Sequence, residues 1–508
     1  MNNPANNKNT ISHKILFTSK LILYILLIIT CGCGQNNKTD EQTLNEKLDS
    51  IRDHKQQQLS EYIDNVSNIA ESVKSDSEIK DLFVKKNNLY KKYKGKTIPE
   101  HDKQLFLKLR DSIENIYIDK YLSFYDILFV NNTGDIFYTV RRQADYHKNI
   151  FTGELVETSL SKQLKLTPNK TFVDFQNYEI SGEPSAFFVQ PCQHNSSSKL
   201  EGWFVFQLSI NKINDMFSIE KDLGITGEVI LVNKDSYMLT DSRFLADSSI
   251  LRTHLSEKNI SQKLKERIGH KTVIDYLGHK ALTSFKVVSI IGTEWLLIAK
   301  IDEDEVLTET YKKNRDQNRR QLLQMSVYDS KDYQDTQISF KGDIEVDMDE
   351  FRRVSHGETL NTHGVSTCTA VLISCPGRFA YLAHVSPNDS IYGGSQTDLV
   401  LKMLKRIENF DIVTNDKRKL EITIVTPNIE HTAGLIDLFV DRGIFLSQIK
   451  LLHNSEARYA NITHDYNGKG KTIVEWRLKG ISGKLQTIDV SKTRNLGKLM
   501  RLISQKTI

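Results

Sequence analysis

One short segment of the chain, residues 360 to 389, combines residue types that can carry out nucleophilic catalysis. Cys368 follows a polar run that contains Gly364, and His384 comes sixteen residues after Cys368, behind an apolar run. A thiol has a pKa of about 8.5, so it needs a neighbouring base or backbone N–H groups before it attacks a carbonyl carbon at neutral pH. Gly364 permits a tight turn whose amides point to the sulfur or to an oxyanion, and His384 on an adjacent strand would be the base. The segment therefore predicts a nucleophile, Cys368, that is partly ionised below pH 8.5.

Each of these residues also has a purely structural interpretation. A lone Cys before an apolar strand is often a small buried hydrophobe, and a lone His at the end of a strand often makes only a structural hydrogen bond. Cys375 lies seven residues after Cys368. We expect Cys375 to be structural, with a regulatory disulfide to Cys368 as the alternative in an oxidising compartment. The elements around the segment decide whether Cys368 and His384 can meet.

The segment belongs to a domain that begins between residues 325 and 345. Apolar runs alternate there with amphipathic stretches: the runs are "TAVLIS", "FAYLAHVS", "LEITIVTP" and "IVEWRL", and the stretches are "QTDLVLKMLKRIENF" and "EHTAGLIDLFVDRG". Short apolar runs predict strands, and apolar residues spaced by three and four predict helices. The alternation predicts an α/β or α+β domain of enzyme size.

The residues around Cys368 resemble the chemoreceptor glutamine deamidase family, CheD, and related Cys-His deamidases. That family has a Thr, a Gly-containing turn, a Ser or Thr and the catalytic Cys, followed by a strand ending in His, and "THGVSTC" and "YLAHVSP" keep this order. The resemblance covers about residues 345 to 480 and implies an α/β sandwich-like domain. It implies that Cys368 is the nucleophile, His384 the general base and Thr362 the active-site Thr that orients His384 or the substrate amide. The implied reaction converts a protein Gln to Glu and ammonia through a thioester, and we expect no cofactor and no metal.

The chain before this domain changes from helix to strand. Apolar residues recur at threes and fours from Glu41 to about Lys92, which predicts a long amphipathic helix. "KGKTIPE" interrupts it, and a second helix ends near Lys120. "FYDILFVNNTGDIFYTV" predicts a β-hairpin. Two sets of strands follow, separated by the helical "INKINDMFSIEKD": "FVDF", "PSAFFVQP" and "GWFVFQLS", then "TGEVILVNKDSYMLTDS", "KTVIDYLGHKALTSFKVV" and "TEWLLIAKID". The order predicts an α+β fold with a long N-terminal helix and two stacked antiparallel-sheet modules.

Four of these motifs resemble the double Cache sensory domain of methyl-accepting chemotaxis receptors: "YDILFVNNTGDIFYTV", "EPSAFFVQP", "INKIN" and "LGITGEVILVNKDSYMLTDSRF". The resemblance covers about residues 41 to 312 and implies an extracytoplasmic sensor that binds a small molecule. The motifs identify no ligand-binding residues. In those receptors a transmembrane helix follows, whereas here the charged "IDEDEVLTETYKKNRDQNRRQLLQ" follows, so we expect no signal transfer by the receptor route.

The first 34 residues have the pattern of an export signal. A segment without acidic residues that contains Lys8, Lys14 and Lys20 precedes the apolar "LILYILLIIT", and "CGCGQ" comes next. The apolar core is shorter than the about 20 residues that a membrane span needs. This pattern resembles a bacterial lipoprotein signal peptide, in which Cys31 or Cys33 would be acylated. An uncleaved membrane anchor and secretion without an anchor are the alternatives. We expect the rest of the chain to lie outside the cytoplasm, in the cell envelope.

Composition limits the possible partners. The 508 residues include 39% hydrophobic ones, enough for two or three domains. The formal charge of +4, from 68 basic and 64 acidic residues, lacks the basic excess typical of nucleic-acid binding. Five cysteines are too few and too scattered for a disulfide framework or a structural zinc site. We expect a small-molecule ligand, a protein substrate with an accessible Gln and a membrane, but no nucleic acid.

Together the patterns predict four segments: an anchor signal at 1–34, a double Cache sensor at 35–312, a linker at 313–344 and a CheD-like cysteine deamidase at 345–508. The predicted protein is a membrane-anchored extracytoplasmic sensor coupled to a protein-glutamine deamidase. A ligand-binding lipoprotein without catalysis, and a cysteine protease or acyltransferase, are the alternatives.

Overall fold

The computed structural model describes residues 40–166, 171–193, 199–218, 221–325, 343–355, 357–387, 396–412, 414–466, 470–480 and 485–506. Cys31, Cys33 and the rest of the predicted signal lie outside these ranges. Within them, every helix is too short or too polar to cross a membrane. The chain divides into Met1–Lys47 and Leu48–Ile508. The described part of the first unit is the start of a helix, and the second unit holds the two N-terminal sheet modules and the C-terminal domain.

Three helices open the fold: α1 (Asp40–Ser72), α2 (Ser77–Tyr93) and α3 (Glu100–Ile116). The helix predicted from 41 to 92 is interrupted after Ser72, because the Asp76 side chain accepts hydrogen bonds from the backbone N–H groups of Glu78 and Ile79 and so caps a new helix. The predicted break at residues 94 to 100 is confirmed. Burial of apolar side chains on one face of α1, among them Leu59, Ile63 and Val66, explains their spacing.

Two antiparallel sheets follow, as predicted. The first has the strand order β2-β1-β5-β4-β3, and the second has the order β6-β9-β8-β7. Between β1 and β2 the Asn131 side chain accepts from the N–H groups of Thr133 and Asp135, which fixes the predicted hairpin turn. The strands are β1 (Asp126–Asn131), β2 (Ile136–Thr139), β3 (Phe172–Tyr178), β4 (Glu183–Gln193), β5 (Leu200–Ser209), β6 (Glu228–Val232), β7 (Ile268–Ile274), β8 (Lys280–Ile290) and β9 (Thr293–Asp302).

Short helices accompany these sheets, and a helical pair leads out of them. The short helices are α4 (Ser159–Leu166), α5 (Ile210–Phe217) and α6 (Glu257–Glu266). The pair α7 (Glu303–Lys313) and α8 (Arg315–Met325) starts directly after β9. Tyr311 of α7 and Leu322 of α8 are fully buried in the apolar core of the C-terminal domain. Helix α7, which begins at the end of β9, is therefore part of the C-terminal core, and α8 lies within the predicted linker.

The C-terminal domain has three layers. Its described strands form a facing sheet of order β10-β12-β17-β18-β19 and a site sheet of order β11-β14-β13-β15-β16. Three further helices pack together with α7 and α8 in the core on the outer side of the site sheet: α9 (Gln396–Phe410), α10 (Ala433–Asp441) and α11 (Leu496–Lys506). The strands are β10 (Ile344–Glu345), β11 (Glu350–Val354), β12 (Thr359–Val365), β13 (Thr369–Cys375), β14 (Phe379–Val385), β15 (Glu421–Thr426), β16 (Ile449–His453), β17 (Ala457–Asp465), β18 (Lys471–Leu478) and β19 (Leu485–Asp489).

The middle layer explains the long apolar runs. Every residue of β13 and β14 is buried, because one face of the site sheet packs on helices and the other on the facing sheet. Val371 and Tyr381 belong to the helix-side core, whereas Ala370 and Leu382 belong to the core between the two sheets. The fold of the described residues is thus mixed α and β with mainly antiparallel sheets, arranged as a helix–sheet–sheet sandwich in the C-terminal domain.

Candidate functional site

Three elements bring the predicted catalytic residues into one region between the two C-terminal sheets. His384 lies in β14 and pairs with Ala370 of β13. Cys368 immediately precedes β13, and extending that register places it diagonal to His384 on the same sheet face. Diagonal positions in an antiparallel pair lie about 7–8 Å apart, within reach of side chains. Thr362 lies in β12 of the facing sheet and approaches His384 across the interior.

Hydrogen bonds around Thr362 fix the tautomer of His384. The Thr362 hydroxyl donates its one proton to the carbonyl oxygen of Val346, at 2.7 Å. The Thr362 Oγ1 also lies 2.8 Å from His384 Nδ1. Because a hydroxyl has one proton, Thr362 Oγ1 must accept the second hydrogen bond and His384 Nδ1 must carry a proton. His384 Nε2 is therefore the unprotonated nitrogen of the neutral ring, and it is buried without a hydrogen-bond partner among the described residues.

The surroundings keep His384 neutral. Burial lowers the pKa of its imidazole below the ordinary value, and the carboxylates of Asp349 and Asp347 oppose the shift only partly. A neutral imidazole with a free Nε2 lone pair can accept a proton. The protonation state of His384 at neutral pH is therefore the one that a general base would need.

Cys368 is a protonated thiol in this environment. Its side chain is buried, with 7% of the residue exposed. Burial raises the pKa of the Cys368 thiol, the Asp349 carboxylate raises it further, and the Thr367 hydroxyl lowers it. The expectation that Cys368 is partly ionised below pH 8.5 is therefore wrong for the resting protein. Among the described residues neither a cation nor an imidazolium stabilises a thiolate here, so ionisation of Cys368 would require transfer of its proton to a base.

Gly364 has a different role from the expected one. It has a φ of 67°, which favours glycine, and lies where the register between β12 and β17 shifts. Its N–H donates to Asn461 Oδ1 at 3.1 Å, so this amide does not point to the sulfur. Gly364 instead forms a bulge in a strand. The backbone N–H groups of Thr367 and Cys368 donate to no acceptor within the described parts of the chain, which makes them the candidate oxyanion donors.

A segment that sequence reasoning missed runs along the site. This strap, residues 346 to 349, supplies the Val346 carbonyl to Thr362 and the Asp349 N–H to the His384 carbonyl at 2.7 Å. Its Met348 Sδ lies 3.9 Å from the Cys368 sulfur, and Met348 is 60% exposed. The acidic "EVDMDEF" only indicated the start of a domain, since no catalytic residue type marks it. The strap therefore separates the Cys368 thiol from solvent through the side chain of Met348.

Cys375 cannot take part in this site. It lies at the far end of β13 and is buried in the helix-side core, whereas Cys368 lies in the core between the sheets. Neither of them forms a disulfide bond within the described structure. Side chains on opposite faces of one sheet cannot form a disulfide without rearrangement of the backbone, so the alternative of a regulatory disulfide is not supported and Cys375 is structural.

A second polar cluster joins the second sheet module to the C-terminal domain. Asp275, His279 and Asp302 offer three potential metal ligands within 4.8 Å of one another. However, Lys300 Nζ lies 2.6 Å from Asp275, and Arg418 of the C-terminal domain pairs with Asp302. Basic side chains already neutralise both carboxylates, so the cluster is an ion-pair network. Its position at the end of β9 connects the second sheet module with the C-terminal domain.

Comparisons with known proteins do not assign a family. No family model matches the sequence, and no curated protein matches it. Similar solved structures include an extracellular ligand-binding receptor from Desulfohalobium retbaense (TM-score 0.35, 12% identity, 50% of this chain and 40% of that chain). This chain thus spans about two fifths of that receptor's length. Another is the ligand-binding domain of the Pseudomonas aeruginosa amino acid chemoreceptor PctB in complex with L-Arg (TM-score 0.32, 16% identity, 52% of this chain and 96% of that chain).

A further similar structure is the ligand-binding domain of the Pseudomonas fluorescens chemoreceptor CtaA in complex with L-serine (TM-score 0.33, 13% identity, 52% of this chain and 97% of that chain). These neighbours are ligand-binding domains and cover about half of this chain. The resemblance of residues 345 to 480 to the deamidase family stays a prediction, as does catalysis by Cys368, His384 and Thr362.

Proposed function

We propose that this protein is an extracytoplasmic sensor joined to a cysteine amidohydrolase that converts glutamine side chains of a protein substrate to glutamate. One observation carries the proposal. Thr362 gives its proton to Val346, so His384 holds its own proton on Nδ1 and keeps Nε2 free beside the strand that presents Cys368. Buried polar atoms usually have a hydrogen-bond partner, so an unpartnered Nε2 on the sheet face that also carries Cys368 supports a role as a base.

The reaction begins with proton transfer. His384 Nε2 takes the proton of the Cys368 thiol as the sulfur attacks the carboxamide carbon, and the carbonyl oxygen becomes an oxyanion. The free N–H groups of Thr367 and Cys368 are suited to stabilise that oxyanion. His384 then returns its Nε2 proton to the leaving nitrogen, and ammonia departs as the carbonyl double bond reforms.

Hydrolysis completes the cycle. Water attacks the thioester carbon, His384 Nε2 takes a proton from that water, and the thiolate of Cys368 leaves. The sulfur regains the proton from His384, and the product side chain is a carboxylic acid. Thr362 keeps Nδ1–H fixed in both steps, so it is a positioning residue. The buried, neutral pair favours concerted proton transfer over a preformed thiolate.

Helix α7 supports a coupling of the two halves. It follows β9 of the sensor directly, and its Tyr311 is buried in the C-terminal core, where its hydroxyl donates to Asp437 of α10 at 2.7 Å. Near its start, Glu303 pairs with Arg501 of α11. A displacement of β9 on ligand binding would therefore reach α10 and α11 without a flexible connection.

The location is part of the proposal. The export-signal pattern of residues 1 to 34 supports a chain that lies outside the cytoplasm, anchored through a lipid on Cys31 or Cys33. The substrate would then be a surface, periplasmic or host protein. Labelled fatty acid should be incorporated into the wild type but not into a Cys31→Ala, Cys33→Ala double variant; equal labelling of both would refute lipidation.

Ammonia release tests the catalytic part. The full chain is incubated with β-casein, a disordered and glutamine-rich protein, and ammonia is measured with a coupled glutamate dehydrogenase assay. We expect Cys368-dependent release that is lost in Cys368→Ser and His384→Asn, with no cleavage on gels. New peptide termini would indicate a protease, and crosslinks to an added amine would indicate an acyltransferase.

A second candidate function, ligand binding without catalysis, is favoured by one observation. Cys368 is buried, its pKa is raised and Met348 covers its sulfur. If the site is only structural, Cys368→Ser should leave every activity and every ligand response unchanged. The ammonia assay with this variant therefore separates the two functions.

A further inference from the structure

The second sheet module contains a small cavity that the catalytic proposal does not use. It lies between α6 and the sheet of β6 to β9 and has a volume of about 110 Å³. Ile230, Ile260 and Ile298 contribute to an apolar wall, and Lys263, Lys300 and Asp275 contribute charged groups. A cavity of about 150 Å³ holds a molecule the size of benzene. This cavity is therefore large enough for a few carbon atoms and a polar group.

Lys263 is an unusual group for such a lining. It is 2% exposed, and the acidic group that acts on its pKa, Glu266, forms its ion pair with Lys271 at 2.6 Å. The Lys263 Nζ lies over an aromatic ring, 5.6 Å from the centroid of Phe285. Burial lowers the pKa of Lys263 to about 8. Buried charges in proteins are normally paired, so an ammonium at a cavity wall without a counter-ion indicates a place for an anion.

Lys300 provides the contrast within the same cavity. Its Nζ lies 2.6 Å from Asp275 Oδ2 and 3.2 Å from Glu228 Oε1. The other Asp275 oxygen, Oδ1, accepts from the N–H groups of Leu277 and His279. Asp275 is thus satisfied, and it leaves no free acceptor for a cationic ligand group. A zwitterionic amino acid would find a cationic partner for its carboxylate, whereas the Asp275 carboxylate already binds Lys300 and two backbone N–H groups.

We propose that this cavity binds a short aliphatic monocarboxylate, with its carboxylate on Lys263 and its alkyl chain against Ile230, Ile260 and Ile298. The charge of Lys263 selects the anion, the satisfied Asp275 disfavours an ammonium, and the volume excludes long chains. The isoleucine side chains stabilise an alkyl group by removing its surface from water. This site is separate from the Cys368 region and does not depend on catalysis.

Butyrate and its neutral analogue butyramide test the proposal. Each is titrated into the full chain by calorimetry at constant ionic strength, and thermal unfolding is followed in parallel. We expect butyrate to bind and to raise the unfolding temperature, because a ligand that binds only the folded state stabilises it. Butyramide should bind at least tenfold more weakly. Equal affinity for the two compounds, or no binding of butyrate, would overturn the proposal.

A variant pair separates the site from general electrostatics. Lys263→Met keeps the length of the side chain and removes its charge, and Lys265→Met removes an exposed charge from the same helix. We expect Lys263→Met to weaken butyrate binding at least tenfold while unfolding at the same or a higher temperature without ligand, since it removes a buried unpaired charge. Lys265→Met should bind as the wild type does. Wild-type butyrate affinity in folded Lys263→Met would refute the assignment.

Discussion

Replacing Thr362 with Val tests the hydrogen-bond chain on which the catalytic account depends. Thr362 is fully buried, and Val has nearly the same shape but no hydroxyl. The change leaves the Val346 carbonyl and the His384 Nδ1–H without the partners they have at 2.7 and 2.8 Å. A buried polar group that loses its partner costs about 1–3 kcal/mol. The C-terminal domain of Thr362→Val should therefore be less stable by roughly 2–6 kcal/mol, twice that single-group cost.

The same change should also reduce turnover. Without Thr362 Oγ1 the proton of His384 is free to move to Nε2, which removes the base from the sulfur. General-base catalysis contributes about 10²- to 10⁴-fold, and we expect a loss of ammonia release within that range. Thr362→Ser keeps the hydroxyl and should restore most of the stability and the turnover.

Thr369→Val is the matched control. Thr369 is also fully buried and starts the strand next to Cys368, but its hydroxyl has no hydrogen-bond partner in the described structure. Removal of an unsatisfied hydroxyl should be neutral or stabilising. Urea unfolding is followed through Trp476, which lies in the core between the sheets, with the other two tryptophans replaced by Phe. If Thr362→Val unfolds and turns over like Thr369→Val, the reasoning is refuted.

Three further predictions concern the thiol, a buried histidine and the domain contact. Iodoacetamide should alkylate Cys368 slowly at pH 7 and faster as the pH rises above the ordinary thiol pKa of about 8.5, because burial raises the pKa of Cys368. Met348→Ala should accelerate the alkylation. An alkylation rate that reaches its plateau below pH 7 would contradict the conclusion that Cys368 and His384 are both neutral. Burial lowers the pKa of His464 to about 4. The neutral ring therefore contributes its full stabilisation of the folded protein above about pH 6.5, and roughly 3 kcal/mol of it is lost as the pH drops to 4. The urea midpoint of His464→Gln should not show this decrease between pH 6.5 and 4. Arg418→Met leaves the Asp302 carboxylate buried without its guanidinium and should destabilise the protein by about 3–5 kcal/mol. In a double-mutant cycle Asp302→Asn should recover most of this loss, and additive losses would exclude the pairing.

Much of the secondary structure was predictable because its signals are local. The hairpin around Asn131 follows from turn chemistry, and the continuous apolar runs of β13 and β14 follow from burial on both faces. The sequence did not predict the polar strand β12. The bulge at Gly364 disturbs the alternation of apolar and polar residues along this strand, and the buried Thr362 makes a hydrogen bond instead of an apolar contact.

The site was only partly predictable. The order of Thr362, Cys368 and His384 indicated which side chains to examine, but the tautomer of His384 depends on a carbonyl oxygen of Val346 that no residue type reveals. The raised pKa of Cys368 likewise arises from burial and from Asp349, both of which depend on tertiary structure. The spacing of the residues in the sequence therefore identified the candidate side chains. The protonation states of Cys368 and His384 could be inferred only from the tertiary structure around them.

The central claim, that Cys368 and His384 hydrolyse glutamine side chains, is tested most directly by peptide mass spectrometry of envelope proteins incubated with the full chain. The account predicts sites at which Gln is converted to Glu by the wild type and by Cys375→Ala, but not by Cys368→Ser or His384→Asn. The same set of converted sites with Cys368→Ser as with the wild type, or no converted site with the wild type, would contradict it.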